Sequence, residues 1–183
     1  MENNILLYHK LASRDGTPIA GVYLVKTETP ETAFDIFGAL VEKQGGGLAL
    51  TRIPPAFDAA DSGRVTYVLP EKEYVLENVE AYWLATQAHA GIESIRPSSL
   101  EAMREQIRKA KDGTPVILQG LEFIINARGF PDVFDLIGQL SELATTGNKA
   151  IIIPVNPDAL DEKEMANLAS ETVVINPNKT ING

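Results

Sequence analysis

Short apolar runs alternate along this chain with longer segments in which apolar residues recur every three or four positions. Runs that glycine, proline or polar residues bound predict buried strands, and the longer recurrence predicts amphipathic helices. The predicted strands cover Ile5–Tyr8, Ile19–Val25, Leu48–Thr51, Val65–Leu69, Val116–Leu118, Ala150–Ile153 and Thr172–Ile175. Ala81–Ala85 fits a strand or a helix, and its aromatic pair and the long loop after it favour a strand.

Four helices are predicted between these strands. The first starts at Pro30, with Thr29 as its cap, and ends at the glycines of 45–47. The second begins at Ser98–Glu101, which has the spacing of a capping box. The third starts at residues 129–132, and the last is capped by Asp158 or Asp161. The segment 56–64 is predicted to be a loop.

Apolar strands separated by capped helices predict an α/β fold, with a three-layer, mostly parallel sheet that helices cover on both faces. We expect residues 1–19 to form an N-terminal strand or hairpin extension and residues 20–176 to form a single α/β domain. Residues 177–183 read as a polar C-terminal tail. The sheet edge at the N-terminal strand would allow a homodimer by edge pairing.

Composition and charge narrow the classes of function. The 183 residues are 44% hydrophobic and include no cysteine, which excludes disulfides and thiolate chemistry. The 25 acidic and 16 basic residues give a net charge of −9, which argues against nucleic acid and anionic membranes as partners. We find no signal-peptide pattern and no apolar run of membrane-spanning length, so we expect a cytoplasmic protein.

The connection between the first strand and the first helix is where an ATPase would hold phosphates. That motif needs a glycine-rich loop with a lysine, and residues 26–32 contain no glycine and carry Glu28 and Glu31. The acid that would hold magnesium at the end of a second strand is replaced by Gln119. Glu122 lies three residues on, and a solvated or capping role is favoured over a metal role. We therefore predict no cofactor and no metal site.

Several other residues allow both a functional and a structural interpretation. Arg52 ends a predicted strand, where it would bind an anion or pair with Glu122, and the ion pair is favoured. Trp83 is expected in the core rather than as an anchor for a partner. His9 and His89 lack acidic neighbours at ligand spacing, so structural roles are favoured. The acidic residues at 158–164 are expected to cap a helix.

Six separate strings along the chain resemble the archaeal domain-of-unknown-function family 835. They lie at residues 21–26, 30–33, 50–55, 82–84, 119–123 and 153–160, and they include Gln119-Gly120-Leu121-Glu122. That family usually has aspartate at the position of Gln119. The resemblance implies an α/β domain similar to the RecA/KaiC class of P-loop ATPases but degenerate, without the phosphate loop. It also implies proximity to sensory or regulatory modules and no established activity.

Two hypotheses of function follow. The first is a non-enzymatic interaction or regulatory module that binds an unidentified protein partner. The second is a divergent nucleotide- or small-ligand-binding protein. An enzyme of other chemistry ranks third, because no triad or metal cluster is visible. Either ligand or partner would contact the rim at the carboxyl ends of the strands, where the candidate residues are Thr27, Thr29, Arg52, Gln119, Glu122, Asn156 and Asp158.

Overall fold

The computed structural model describes residues 19–177, and within them a parallel sheet organises the fold. Its strands are β1 (Gly21–Lys26), β2 (Gly47–Thr51), β6 (Val79–Leu84), β7 (Ser94–Ile95), β8 (Val116–Gln119), β9 (Ala150–Val155) and β10 (Val173–Ile175). Their order across the sheet is β10-β1-β9-β8-β2-β6-β7, and all of these pairs are parallel. The α/β class with a parallel sheet is confirmed.

Five α-helices connect the strands in the described part of the chain. They are α1 (Glu31–Gln44), α2 (Leu100–Lys109), α3 (Leu121–Arg128), α4 (Phe130–Thr146) and α5 (Glu162–Glu171), and a short 3₁₀ helix covers Pro157–Ala159. The longest, α4, has 17 residues. It and the other helices are too short or too polar to cross a membrane.

Alternation along β1 shows how the sheet separates two hydrophobic cores. Tyr23 and Val25 point to one face, where they pack with α1. Val22 and Leu24 point to the other face, where they pack with α2, α3, α4 and α5. Helices therefore cover both faces, as predicted. Each fully buried leucine or phenylalanine contributes about 1.5–3 kcal/mol relative to an exposed one.

A second, antiparallel sheet lies on the α1 side of the fold. It consists of β3 (Ala56–Asp58), β4 (Asp61–Val68) and β5 (Glu73–Glu77) in that order. Its inward side chains, including Val65 and Tyr67, join the core that contains α1. The predicted loop at 56–64 is wrong, because most of that segment belongs to β3 and β4.

Two predicted helix caps are wrong. Thr29 does not cap α1, whose N-cap is Pro30. The capping box predicted at Ser98–Glu101 does not form, because the N-cap of α2 is Ser99 and no side chain makes a cap bond there. Asp158 and Asp161 were both predicted as possible caps of the last helix. The cap is Asp161, which accepts a hydrogen bond from the Glu164 amide at 2.7 Å. Glu164 accepts one in return from the Asp161 amide, which completes a capping box.

The first described strand does not lie at an edge. β1 is hydrogen-bonded to β10 on one side and to β9 on the other, so it cannot offer the edge that pairing would need. The edges of the parallel sheet are β10 and β7. The predicted strand Ile5–Tyr8 and the residues from 178 onward lie outside the described residues.

Candidate functional site

A small cleft opens where the carboxyl ends of β1, β8 and β9 meet. It has a volume of about 120 Å³, and it includes most of the residues predicted from strand ends. We call it the strand-end cleft. Its lining residues are Thr27, Glu28, Thr29, Pro30, Gln119, Gly120, Glu122, Pro154, Val155 and Asn156. Arg52 and Asp158 are not among them.

The connection that forms one wall of the cleft is short and internally hydrogen-bonded. Only residues 27–30 separate β1 from α1. The Thr27 hydroxyl donates to the Thr29 carbonyl at 2.7 Å and accepts from the Thr29 amide at 3.3 Å. The Thr29 amide therefore already has a partner, and four residues are too few to surround a phosphate chain as the eight-residue glycine-rich motif does.

Gln119 connects β8 to the end of β2. Its side-chain oxygen accepts the backbone amides of Arg52 and Ile53, each at 3.0 Å. Because both partners are donors, the accepting atom must be the amide oxygen, and the Nε2 group is left facing away from them. Gln119 therefore holds the β2 terminus in place, which an amide does without a charge.

Gly120 makes the sharp turn from β8 into α3. Its φ of +112° is unfavourable for a residue with a side chain, and a Cβ atom here would lie 2.8 Å from the Cβ of Arg52. The close approach brings the start of α3 against the end of β2. This packing places Glu122 and Phe123 at the rim.

Glu122 and Asn156 form the opposite wall of the cleft. The Glu122 carboxylate accepts the backbone amide of Asn156 at 2.7 Å, and the Asn156 side chain accepts the amide of Asp158 at 3.0 Å. Asp158 itself is exposed and outside the cleft. The favoured ion pair between Arg52 and Glu122 is wrong, since the structure gives each a different partner.

Arg52 is exposed at the end of β2, yet its side chain is held in place. Its guanidinium lies 4.2 Å from the centre of the Phe123 ring, a cation–π contact. Its Nη1 donates to the backbone carbonyl of Leu84 at 3.2 Å. No carboxylate of the described residues lies within ion-pair distance of it.

Trp83 continues the rim on the next strand. It is half-buried rather than a core residue, so its predicted core position is wrong. The indole Nε1 donates to the Arg52 carbonyl at 3.0 Å, and the ring centre lies 4.4 Å from that of exposed His89. We call Arg52, Trp83, His89 and Phe123 the rim cluster. A cation and three aromatic rings, two of them half-buried, thus lie together at the surface.

A buried tyrosine lies below this rim. Tyr67 is fully buried on the inner face of β4. Burial raises the pKa of Tyr67 strongly. Thr51 is also fully buried, at the last position of β2, and its hydroxyl donates to the Ile53 carbonyl at 2.7 Å. The end of β2 is therefore supported from within the fold.

The described residues contain no group of three or more histidine or acidic side chains able to hold a metal ion.

Two contacts at the rim were not predicted from the sequence: the contact of Phe123 with Arg52 and the hydrogen bond from Arg52 to the Leu84 carbonyl. Phe123 lies four residues after Gln119, and a helix that begins at Leu121 places this side chain in its first turn.

Comparisons with known proteins add the family. A family model described as "Protein of unknown function (DUF835)" matches residues 26–172, which is most of the chain. A search of curated proteins found no match.

Proposed function

The chain belongs to the DUF835 family, and we propose that it is a non-enzymatic interaction module of a regulatory system that binds a partner protein through the rim cluster. The observation that carries this proposal is the state of Arg52. It is exposed and has no carboxylate partner among the described residues, yet it is held by Phe123 and Leu84. A side chain ordered in this way presents unused donors to a partner.

The residue types of the rim cluster support a protein contact. Tryptophan and arginine are enriched among the residues that contribute most to protein–protein binding. Trp83 is already oriented by its bond to Arg52, so a partner would lose less conformational entropy when it orders this surface. Such pre-organisation favours the binding of a partner at this surface.

The dimensions of the strand-end cleft argue against a nucleotide. Ligand pockets for molecules of that size have volumes of about 300–1,000 Å³, whereas this cleft has about 120 Å³. Glu28 and Glu122 line it and would repel phosphates. A protein partner at the adjacent rim cluster needs no deep pocket.

A small polar ligand in the cleft is the second candidate. It is favoured by one observation: Gln119, Thr27 and Asn156 converge there, and the Gln119 Nε2 group donates to none of the described residues. Titration of ATP, GTP and small polar metabolites against the melting temperature tests it. A ligand at a hundredfold excess over its Kd should add about 2.7 kcal/mol of stability.

Site-specific photo-crosslinking in cells tests the interaction proposal. A photoreactive residue replaces Gln87, which is exposed on the loop beside Trp83. In a matched control it replaces Lys111, which is exposed near the amino ends of β2 and β8, at the other end of the strands. We expect a discrete crosslinked protein from position 87 and none from position 111. A crosslinked dimer would identify a second copy as the partner. The same products from both positions, or none from position 87, would contradict the proposal.

A further inference from the structure

Arginines in the described part of the chain divide into two groups. Arg64, Arg104, Arg108 and Arg128 each lie within ion-pair distance of a carboxylate. Arg52 and Arg96 do not, although the protein carries a net charge of −9. An acidic protein that leaves these two cations unneutralised has two positions at which a partner can supply the negative charge.

Both arginines lie at the same end of the parallel sheet. Arg52 directly follows Thr51, which is in register with Trp83 on β6, and Trp83 is in register with Ser94 on β7. Arg96 directly follows Ile95, the last residue of β7. Neighbouring strands lie about 4.8 Å apart, so the two arginine backbones are about 10 Å apart with Trp83 on the strand between them.

The free donors suit carboxylates. A guanidinium has five N–H donors and binds a carboxylate with two parallel bonds. Arg52 uses Nη1 for the Leu84 carbonyl and one face for Phe123, which leaves donors on its other nitrogens. Arg96 is exposed at its strand end. Each is able to take one carboxylate from a partner.

Charge near the pair limits the size of the anion. Glu93 is exposed one residue before β7, and Glu28 and Glu122 line the adjacent cleft. These carboxylates would repel the continuous phosphates of a nucleic acid, whose affinity depends on many basic contacts. A short segment with separated carboxylates avoids that repulsion.

We propose that the arginine pair binds an extended acidic segment of a partner protein, with one carboxylate at Arg52, another at Arg96, and an apolar contact to Trp83 between them. An extended chain advances about 3.1–3.4 Å per residue, so acidic residues three positions apart match the separation of about 10 Å. This inference rests on the proposed function and names the chemistry of the partner.

The single tryptophan of the chain provides the test, because Trp83 lies on β6, the strand between the two that the arginines follow. Fluorescence and isothermal titration calorimetry follow binding of a blocked alanine peptide with glutamate at every third position. Its counterpart with glutamine in those positions is the control. We expect saturable binding of the glutamate peptide that changes Trp83 emission, and at least about tenfold weaker binding of the glutamine peptide.

Matched variants locate the site. Arg52→Gln and Arg96→Gln should each weaken the glutamate peptide about tenfold, whereas Arg108→Gln on α2 should leave binding unchanged. Arg96→Gln guards against a folding defect, since no described contact depends on its side chain. Arg52→Lys should retain only part of the affinity, because it keeps the charge and loses the paired donors.

Three results would overturn the inference: no heat and no emission change, equal affinity for both peptides, or equal affinity in the arginine variants. Tighter binding of a single-stranded RNA oligonucleotide of the same charge would also overturn it, in favour of a nucleic-acid partner. If the glutamate peptide does not bind while crosslinking from position 87 still captures a protein, the acidic partner segment is excluded and the proposed interaction module remains supported. If both fail, neither stands.

Discussion

The indole of Trp83 donates a hydrogen bond to the backbone carbonyl of Arg52, with 3.0 Å between Nε1 and the oxygen. Arg52 donates in turn from Nη1 to the carbonyl of Leu84, the residue that follows Trp83. The ends of β2 and β6 are thus joined by side-chain bonds beyond their strand pairing. This reciprocal arrangement holds an exposed arginine and a half-buried tryptophan in a defined relation to each other.

Gln119 should stabilise the rim through its side-chain oxygen. Gln119→Leu keeps the approximate size of the side chain and removes the acceptor for the Arg52 and Ile53 amides. We expect a loss of about 1–3 kcal/mol in the free energy of unfolding, because the Ile53 amide is left without its partner. The Arg52 amide still donates to the Gln119 backbone carbonyl. Urea denaturation measures it, and Gln87→Leu at an exposed position is the control. Equal losses in the two variants would refute this role.

Two glycine substitutions should have opposite signs. Gly120→Ala forces a side chain onto a φ of +112° and into contact with Arg52, so we expect a loss of about 1–3 kcal/mol. Gly138 lies inside α4, and the Cβ atom that Gly138→Ala adds would have no neighbouring atom within 4 Å. It should gain about 0.5–1 kcal/mol from helix propensity. Thermal melts compare both with the unmodified protein, and a stable Gly120→Ala would contradict the close packing.

Helix capping supplies a third pair of variants. Asp161→Ala removes the side chain that completes the capping box of α5, and we expect a loss of about 0.5–2 kcal/mol. Ser99→Ala at the start of α2 should change stability by less than about 0.5 kcal/mol, since Ser99 makes no cap bond. Denaturant midpoints for the two variants test the difference. A larger loss for Ser99→Ala would reverse the assignment.

Tyr67 should make the fold sensitive to alkali. Its folded-state pKa is raised above the unfolded value of 10.0, chiefly by burial. The stability that its neutral form contributes is therefore complete below pH 10 and declines as the pH rises above it, by about 1.4 kcal/mol per pH unit. Tyr67→Phe should flatten the stability curve above pH 10 and change little at pH 7. Parallel curves for the two proteins would count against this.

The apolar pattern predicted the central strands because those strands are buried on both faces. Val116–Leu118 and Ala150–Ile153 are fully apolar, and both are in the centre of the sheet.

The sequence predicted those residues of the candidate site whose position follows from the end of a strand. Thr27, Thr29, Gln119, Glu122 and Asn156 line one cleft, because the carboxyl ends of parallel strands share one edge.

Helix α3 was missed because its sequence lacks the usual signals. It follows β8 directly and begins at a glycine with positive φ instead of a capping side chain. Another helix begins one residue after Gly129, so no polar loop marks its end. Without α3, Phe123 could not be placed beside Arg52, and an ion pair with Glu122 looked more favourable than the cation–π contact.

The antiparallel sheet was predicted only in part, since the strand predicted at Val65–Leu69 lies largely in β4, whereas β3 and β5 were not predicted. All three residues of β3 are exposed, so no apolar alternation marks it as a strand. Trp83 was predicted to lie in the core rather than to anchor a partner. Its indole N–H instead finds a partner at the rim, which is how tryptophan commonly lies when one end is apolar and the other meets water.

Affinity isolation with a matched pair of variants tests the rim cluster most directly. Tagged chains carrying Arg52→Gln or Lys43→Gln are compared with the unmodified chain by quantitative mass spectrometry of the captured proteins. Lys43 is exposed in the last turn of α1 and makes no ion pair among the described residues. We predict a partner whose capture falls at least about tenfold with Arg52→Gln and stays unchanged with Lys43→Gln. An identical set of captured proteins for both variants would contradict binding through the rim cluster.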